Sequence, residues 1–303
     1  MWIPSHVVFP RTIAVLSAAA ACLVLGGAAA CSSVEHAPAV GTVAVTTPRA
    51  RVPLGGPLDL TYRFERTGEP IDGDYTVFVH IVNADGQVIW TDDHAPATPT
   101  SAWQPGTPVE YTRTIFLPPG ALHPGDVGIE VGLYRDGERL PLDAPAAGPA
   151  GTRAYRVAEI QLAPETENIF LIYQTGWYAD EFAADAPGRS WKWTEKSATI
   201  AFRHPHADAE LFVEVAGQPA AFPDGPQQVT ILGASGEALA TFPVESTTPT
   251  LYRVPVSNDA MGTADLTELR FVVDRTFVPA QAGIGQDTRE LGVQVFTVYL
   301  GVR

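Results

Sequence analysis

The chain has 303 residues, a formal net charge of −15 and two cysteines, Cys22 and Cys31. This length is ample for two domains, while the acidic balance disfavours nucleic acid as a partner, because phosphate binding needs a basic surface. Since Cys22 lies within an apolar leader, the one thiol that follows excludes an intramolecular disulfide, thiol catalysis and cysteine–zinc chemistry.

The first 31 residues have the pattern of an export signal. Arg11 precedes an uncharged, apolar run at 12–30 that ends in three alanines, and Cys31 follows at once. A charged start, an apolar middle and small residues before a cut are typical of a signal peptide. Alternatives are plain secretion and a retained membrane anchor. All three place the rest of the chain outside the cytoplasm.

The residues around Cys31 resemble the lipobox of bacterial lipoproteins, although Ala28 stands where Leu or Val is usual. The resemblance implies that residues 1–30 are a lipoprotein signal peptide and that Cys31 is diacylated. Residues 31–41 would then tether the protein to a membrane of the cell envelope, on its non-cytoplasmic side.

Residues 42–163 read as one strand after another, with 27 Gly and 27 Pro in the chain supplying turns. Alternating or doubly apolar runs predict strands at 42–47, 58–65, 75–82, 87–91, 109–117, 127–135, 138–141 and 155–162. Asn83-Ala84-Asp85-Gly86 and Asp136-Gly137 predict hairpin turns. Seven or eight short strands in this length predict an immunoglobulin-like β-sandwich.

Residues 164–303 continue in the same style without repeating the sequence. Strands are predicted at 169–173, 198–202, 209–215, 228–232, 238–242, 251–256, 269–274 and 292–300, with one helical turn within 258–266. Irregular segments are expected at 174–197 and 275–290. This pattern predicts a jelly-roll-like β-sandwich, so the whole chain is all-β with a domain boundary at Ala163-Pro164.

Several segments resemble accessory β-sandwich modules of bacterial envelope glycosyltransferases. They are GDYTVFVHIVNADGQ, DDHAPATPTSAWQPG and VGIEVGLYRDGERLP in the first half, and GWYADEF, WKWTEKSATIAFRHP and TFVPAQAGIGQDTRELGVQVF in the second. The second set is also similar to carbohydrate-binding modules. Because no transferase domain accompanies them, the resemblance implies a binding or accessory role without transfer chemistry.

Aromatic residues are concentrated between the first strands of the second half. Trp177, Tyr178, Trp191 and Trp193 lie beside Glu181, Asp185, Arg189 and Lys192. Sugar rings stack on aromatic faces and need planar polar partners for their hydroxyls, so this group is a candidate saccharide site. The competing interpretation is that Trp191 and Trp193, two residues apart, close the core.

The acidic and basic residues Asp287, Arg289 and Glu290 precede the last strand. An ion pair with Arg275 that fixes the loop is the simpler interpretation, and a contribution to the ligand site is the alternative. Glu181 with Asp287 or Glu290 would be the pair to inspect for a glycosidase. The sequence has no GxSxG, no HExxH and no phosphate-binding glycine loop, so we assign no catalytic residue and no cofactor.

Metal binding has only weak candidates. His204, His206 and Asp208 could share a strand face, but Pro205 favours an exposed turn. Asp72, Asp74, Asp92, Asp93 and His94 lack the spacing of a calcium loop. No metal site is therefore assigned.

Three hypotheses for function follow. The first is a non-enzymatic, lipid-anchored envelope protein that binds a saccharide or an envelope partner in polysaccharide synthesis, export or attachment. The second is a purely structural or protein-interaction lipoprotein. The third, less favoured, is a glycoside-active enzyme.

Overall fold

The computed structural model describes residues 37–145, 148–183 and 189–303, and in them the predicted all-β sandwich class is confirmed. The strands of the first half are β1 Gly41–Thr46, β2 Arg51–Pro53, β3 Pro57–Arg66, β4 Thr76–Val82, β5 Val88–Thr91, β6 Val109–Phe116, β7 Gly125–Arg135, β8 Glu138–Arg139, β9 Leu142–Asp143, β10 Gly148–Pro149 and β11 Tyr155–Ala163. Those of the second half are β12 Leu171–Tyr173, β13 Glu181–Phe182, β14 Ser190–Trp193, β15 Ser197–Arg203, β16 Ala209–Ala216, β17 Gln227–Leu232, β18 Ala238–Val244, β19 Thr250–Val256, β20 Leu266–Val273 and β21 Gln294–Val302.

Helical structure in the described residues is confined to single turns. There are 3-10 turns at Thr100–Ala102, Glu165–Glu167, Pro219–Ala221 and Asp259–Met261, and one short helix, α1, at Pro279–Ala282. Accordingly, no helix among the described residues has the length and apolarity required to cross a membrane.

The first sandwich consists of two sheets with the strand orders β6-β3-β1-β9 and β10-β11-β7-β4-β5, with β2 added beside β11 and β8 beside β7. Alternation along β3 places Leu58, Leu60, Tyr62 and Phe64 between the sheets, where all four are buried. β4 is buried on both faces, as its continuous apolar run predicts.

The second sandwich consists of two five-stranded antiparallel sheets, β12-β15-β20-β17-β18 and β13-β14-β21-β16-β19. Its main core has residues from both sheets, among them Phe202, Val213 and Phe271. A smaller cluster of Trp193, Phe277 and Leu291 closes one end, beneath the segment that holds α1.

Two predictions about irregular segments are wrong, and one about a helical turn is confirmed. The segment 174–197, expected to be irregular, contains β13 and β14, which have only two and four residues and so give almost no periodic signal. The segment 275–290 contains α1. The helical turn expected within 258–266 is confirmed: it spans Asp259–Met261, and β20 begins at Leu266.

Several other predictions fall on residues outside the described ranges. These are the signal peptide at 1–30, Cys31 and most of the tether at 31–41. Val40, near the end of the predicted tether, already bonds through its backbone to Pro141, Thr67 and Gly68 of the first sandwich. The domain boundary at Ala163-Pro164 stays a prediction, although β11 ends at Ala163 and the strands of the second sandwich begin at Leu171.

The two sandwiches contact each other directly. The Phe116 ring of β6 lies edge-on to Phe212 of β16 and Tyr299 of β21, at centroid distances of 6.2 and 6.4 Å. Arg253 of β19 forms an ion pair with Asp59 of β3 and donates to the Thr114 hydroxyl. The outer face of one sheet of each sandwich supplies these contacts.

Candidate functional site

A β-bulge in the last strand shapes the outer face of the second sandwich. Thr297 of β21 pairs with Glu214 of β16, but the next residue of β16, Val215, pairs with Val295. Phe296 is therefore an extra residue without a partner on β16. Bulges re-aim side chains and are common beside functional sites.

The burial pattern explains why the bulge is needed. Val293 and Val295 point into the core on one side of it, and Val298 and Leu300 on the other. The three-residue step from Val295 to Val298 breaks the period-2 alternation of a regular strand. The extra residue absorbs this step, so Phe296 lies outside the core with its ring half-buried.

The Phe296 ring borders an open cleft of about 600 Å³. Ligand clefts in proteins span roughly 300–1,000 Å³, so this one has room for a small ligand. Its other lining residues are Arg189, Ser190, Glu214, Thr248, Pro249 and Thr297. They come from β14, β16 and β21 and from the connections before β14 and β19.

The cleft combines one cation, one carboxylate and several hydroxyls. The guanidinium carbon of Arg189 lies 5.0 Å from the centre of the Phe296 ring. Arg189 is exposed, and among the described residues its side chain has no carboxylate partner. One Glu214 oxygen accepts a 3.0 Å hydrogen bond from the Thr297 hydroxyl, which orients the carboxylate.

A second phenyl ring lies next to this cleft. Phe182 of β13 is 70% exposed and pairs with Ser190, one of the lining residues. Directly paired residues of an antiparallel ladder face the same side of the sheet, so Phe182 shares the face of Ser190. The site thus has an exposed ring at its edge and a half-buried ring inside.

The tryptophans singled out by the sequence serve mainly in packing. The Trp177 ring lies edge-on to Phe271 at 5.3 Å, and its indole N–H donates to the Thr199 carbonyl at 2.8 Å. Trp193 is buried against Phe277 at 5.8 Å. These two contacts favour the core interpretation over an exposed platform.

The other two predicted aromatics are partly buried beside the Trp193 cluster. Trp191 is half-buried, and its ring is 5.7 Å from Phe296, so it supports the cleft from one side. Tyr178 lies under the Arg289 guanidinium at 4.9 Å, and its hydroxyl donates to the Glu290 carbonyl at 2.9 Å. Tyr178 therefore links the connection between β12 and β13 to the loop before β21.

The predicted charged residues do come together, but as a closed cluster. One Arg289 nitrogen lies 2.6 Å from Glu181 and 2.5 Å from Asp287. The expected partnership with Arg275 is wrong: that guanidinium pairs with Asp274 at 3.6 Å and donates to the Gly225 and Pro226 carbonyls. Asp185 of the same prediction lies outside the described residues.

This cluster is poorly suited to glycoside hydrolysis. Hydrogen bonds from Arg289 lower the pKa of Asp287 and favour its ionised form. A general acid needs the opposite shift, and a water molecule between the carboxylates would have to displace the guanidinium that bridges them. The geometry supports a structural clamp on the loop.

The weak metal candidates are occupied by protein partners. The His204 Nε2 bonds to the Gly262 carbonyl at 3.0 Å, and its Nδ1 accepts from the His206 backbone N–H at 2.9 Å. Asp92 binds the Arg113 guanidinium through two 2.8 Å hydrogen bonds. In the described part of the chain, no three His, Cys, Asp or Glu side chains are grouped to hold a metal.

Sequence reasoning noted Arg189 but missed Phe296, Glu214 and Thr297 as a site. A usable signal was present in VQVFTVYL, where the core positions are two, then three, then two residues apart. That step predicts a bulge and an outward aromatic. The pairing of Glu214 with Thr297 depends on the register of strands 83 residues apart, which a single sequence does not encode locally.

Together, the fold and the cleft define an all-β protein of two sandwiches with a polar, aromatic-lined cleft on the second. No sequence-family model and no curated protein matches the chain. Among solved structures it is similar to the CBM51-2 and INT domains of ZmpB from Clostridium perfringens, with a TM-score of 0.23 and 9% identity over 59% of this chain and 38% of that one.

Two further solved structures show the same level of similarity. CBM51-2 in complex with GlcNAc and INT domains of the same protein give a TM-score of 0.25 and 10% identity over 59% of this chain and 38% of that one. The infectious bursal disease virus VP2 subviral particle gives 0.21 and 10%, over 87% and 71%. The chain spans less than half the length of the two ZmpB structures, and TM-scores of this size carry no argument about its function.

Proposed function

We propose that this protein is a non-enzymatic saccharide-binding protein of the bacterial cell envelope. The observation that carries the proposal is the open cleft in which the Phe296 ring, the Arg189 guanidinium and the Glu214 carboxylate meet. An aromatic ring, a guanidinium and a carboxylate around one cleft are groups that can bind the face and the hydroxyls of a sugar.

Each group in the cleft matches one part of a sugar. The C–H face of a pyranose packs on a phenyl ring, as aromatic faces do with other apolar or weakly positive surfaces. Carboxylates accept, and guanidinium groups donate, charge-assisted hydrogen bonds to adjacent hydroxyls. Glu214, Arg189 and the hydroxyls of Thr248 and Thr297 supply both kinds of partner around the ring.

Arg189 would change partners on binding. In the structure its guanidinium lies over Phe296. A sugar ring stacking on Phe296 would move the guanidinium to the edge of the cleft, where it can donate to hydroxyls. This movement is inexpensive, because an exposed cation–π contact contributes only about 0.5–1 kcal/mol.

The lipid anchor remains part of the proposal. Diacylation of Cys31 would hold the protein at a membrane of the envelope, since each buried CH₂ contributes about 0.8 kcal/mol and two chains give stable anchoring. Residues 31–40 would then lead to β1. A saccharide bound in the second sandwich would in this way be kept near the membrane during synthesis, export or attachment.

Affinity measurements on soluble polysaccharides of defined composition test the saccharide proposal. We expect Phe296→Ala to weaken binding by tenfold or more, and Glu214→Gln and Arg189→Gln to weaken it less. Phe170→Ala is the matched control. Phe170 directly precedes β12, is 80% exposed and does not line this cleft. Equal affinity of the Phe296→Ala and Phe170→Ala variants would contradict the assignment of the cleft.

A protein-interaction role is the second candidate, and one observation favours it. Phe170, Ile172 and Leu266 form an exposed apolar surface, at 80, 43 and 53% exposure. Exposed apolar patches on soluble proteins often mark interaction sites. If Phe170→Ala releases an envelope protein that cross-links to the wild type, while no polysaccharide binds to either, the interaction role replaces saccharide binding.

A further inference from the structure

We propose that the first sandwich carries a second saccharide site, on the outer face of the sheet β10-β11-β7-β4-β5. This inference rests on the proposed function, because it assigns the same class of ligand to a separate cleft. The cleft has a volume of about 300 Å³ and is lined by Phe78, His80, Asp93, Tyr134, Gly137 and Arg139. None of these residues lines the cleft around Phe296.

The depression exists because of a glycine in β7. Phe78 of β4 pairs with Gly132, and a Cβ at Gly132 would lie 2.4 Å from the Phe78 ring. With no side chain at that position, the phenyl ring lies against the sheet and is buried although it faces away from the core cluster. Larger residues on either side, His80 and Tyr134, then form the rim.

The rim carries the same combination of groups as the first cleft. His80 and Tyr134 present rings at 4.9 and 6.3 Å from the Phe78 ring. The Arg139 guanidinium lies over Phe78 at 4.3 Å and is fixed by a 3.1 Å hydrogen bond to the Thr152 carbonyl. In the described part of the chain, Arg139 has no carboxylate partner.

Asp93 supplies the acceptor of this cleft. One of its oxygens accepts a 3.1 Å hydrogen bond from the Val79 backbone N–H. Because the Asp93 side chain is exposed, the other oxygen can accept a hydrogen bond from a ligand. A fixed carboxylate, a fixed guanidinium and two rings around a depression of this size suit a single sugar unit.

The second sandwich, which carries the Phe296 cleft, and the depression around Phe78 lie on opposite sides of the first sandwich. The second sandwich packs against the sheet that contains β3 and β6, through Asp59, Thr114 and Phe116. The depression around Phe78 is on the outer face of the other sheet. One short oligosaccharide therefore cannot fill both sites, and a protein with both should join two polysaccharide chains or two distant segments of one chain.

The test uses the full-length chain with soluble polysaccharides: a glucan, a mannan, a galactan and a polyuronate. Calorimetry gives affinity and stoichiometry, and light scattering reports cross-linking. We expect the wild type to cross-link a polysaccharide that it binds. The double variant His80→Ala/Tyr134→Ala should still bind polysaccharide through the Phe296 cleft. Calorimetry should find about half of the wild-type binding sites, and cross-linking should be lost.

Controls separate this inference from loss of folding. His123→Ala, at an exposed loop position, should behave as wild type. Asp93→Asn keeps an acceptor for Val79 N–H but removes the charge, so it should fold and weaken the first-sandwich site several-fold. Thermal melts of every variant check that the fold is retained.

The outcomes distinguish the two proposals. Unchanged stoichiometry and scattering in both the His80/Tyr134 and the Asp93 variants would overturn the second site and leave the first. Binding that survives Phe296→Ala but is lost with His80 and Tyr134 would support the second site and overturn the first. No polysaccharide bound by the wild type would overturn both.

Discussion

His94 is a buried titratable residue in the core of the first sandwich. Its Nδ1 donates to the Asp92 carbonyl, and its Nε2 accepts from the Tyr111 hydroxyl, both at 2.8 Å. The ring also lies edge-on to Tyr62 at 5.1 Å. Both nitrogens are thus used by a neutral imidazole, and burial lowers the pKa of His94.

Protonation of His94 should destabilise the folded protein. Other groups act on the same pKa: Arg113 lowers it further, while the Asp92 carbonyl and the carboxylates of Asp92 and Asp93 oppose the shift. In the unfolded chain a histidine titrates near pH 6.5. Because the folded pKa is lower, the unfolded state binds more protons below this pH, and stability falls as the pH falls.

Urea unfolding at pH 7.5 and pH 5.5 measures this effect. We expect a lower free energy of unfolding at the lower pH, and a smaller difference in His94→Gln, which has no titratable ring. His123→Ala removes an exposed histidine and should retain the full difference. A His94→Gln variant with the same pH dependence as wild type would show that other groups are responsible.

At the scale of elements, the bulge in β21 joins the core to the cleft. Deleting Phe296 would leave Val293, Val295, Val298 and Leu300 in strict alternation, because Thr297 would then follow Val295 directly. The pairs Glu214–Thr297 and Val215–Val295 would become consecutive, as in a regular antiparallel ladder. The core would therefore survive the deletion while the cleft loses its ring.

We predict that the variant with Phe296 deleted folds cooperatively and loses binding at the Phe296 cleft, so that calorimetry finds about half of the wild-type binding sites. Deleting Thr230 from β17 is the matched control. Thr230 lies between the core residues Val229 and Ile231. Its deletion shifts the alternation by one residue, so the core residues on one side of the deletion should face solvent and the domain should unfold. Circular dichroism melts and calorimetry compare the two deletions. Unfolding of both would contradict the role given to the bulge.

Long strands with a clear period could be predicted from the sequence, and short ones could not. The alternation of Leu58, Leu60, Tyr62 and Phe64 is enough to predict β3, because every second residue of a strand faces the core. By contrast, β13 exists because Glu181 and Phe182 pair with Trp191 and Ser190. Such pairing depends on tertiary context.

The candidate site shows the same limit. Composition identified the region of Arg189 and Trp191, where aromatic and charged residues are dense. It also included Trp177 in the candidate saccharide group, although that ring packs on Phe271. Solvent exposure of an aromatic residue is set by what covers it, and the cover comes from strands far along the chain.

At the scale of the whole molecule, each sandwich has its own core, and side-chain contacts join the two. The buried cluster of the first sandwich lies between Val43 and Leu162, and that of the second between Ala198 and Leu300. The interface adds the Phe116 contacts, the Arg253–Asp59 ion pair and a 2.7 Å hydrogen bond from the Asn168 side chain to the Leu54 carbonyl. Separate cores favour independent folding, while the interface favours mutual stabilisation.

We therefore predict that residues 37–163 and 164–303 each fold when produced alone, and that the second fragment unfolds at lower urea concentration than the same sandwich in the full chain. Separation exposes Phe212 and Tyr299 and leaves Arg253 without Asp59. Arg253→Ala should lower the free energy of unfolding of the full chain by about 1 kcal/mol, since the pair is partly exposed. In the isolated second fragment the same substitution should have a smaller effect, because Asp59 and Thr114 are absent. If neither fragment shows a cooperative transition, the two sandwiches form one folding unit and the boundary at Ala163-Pro164 has no meaning for stability.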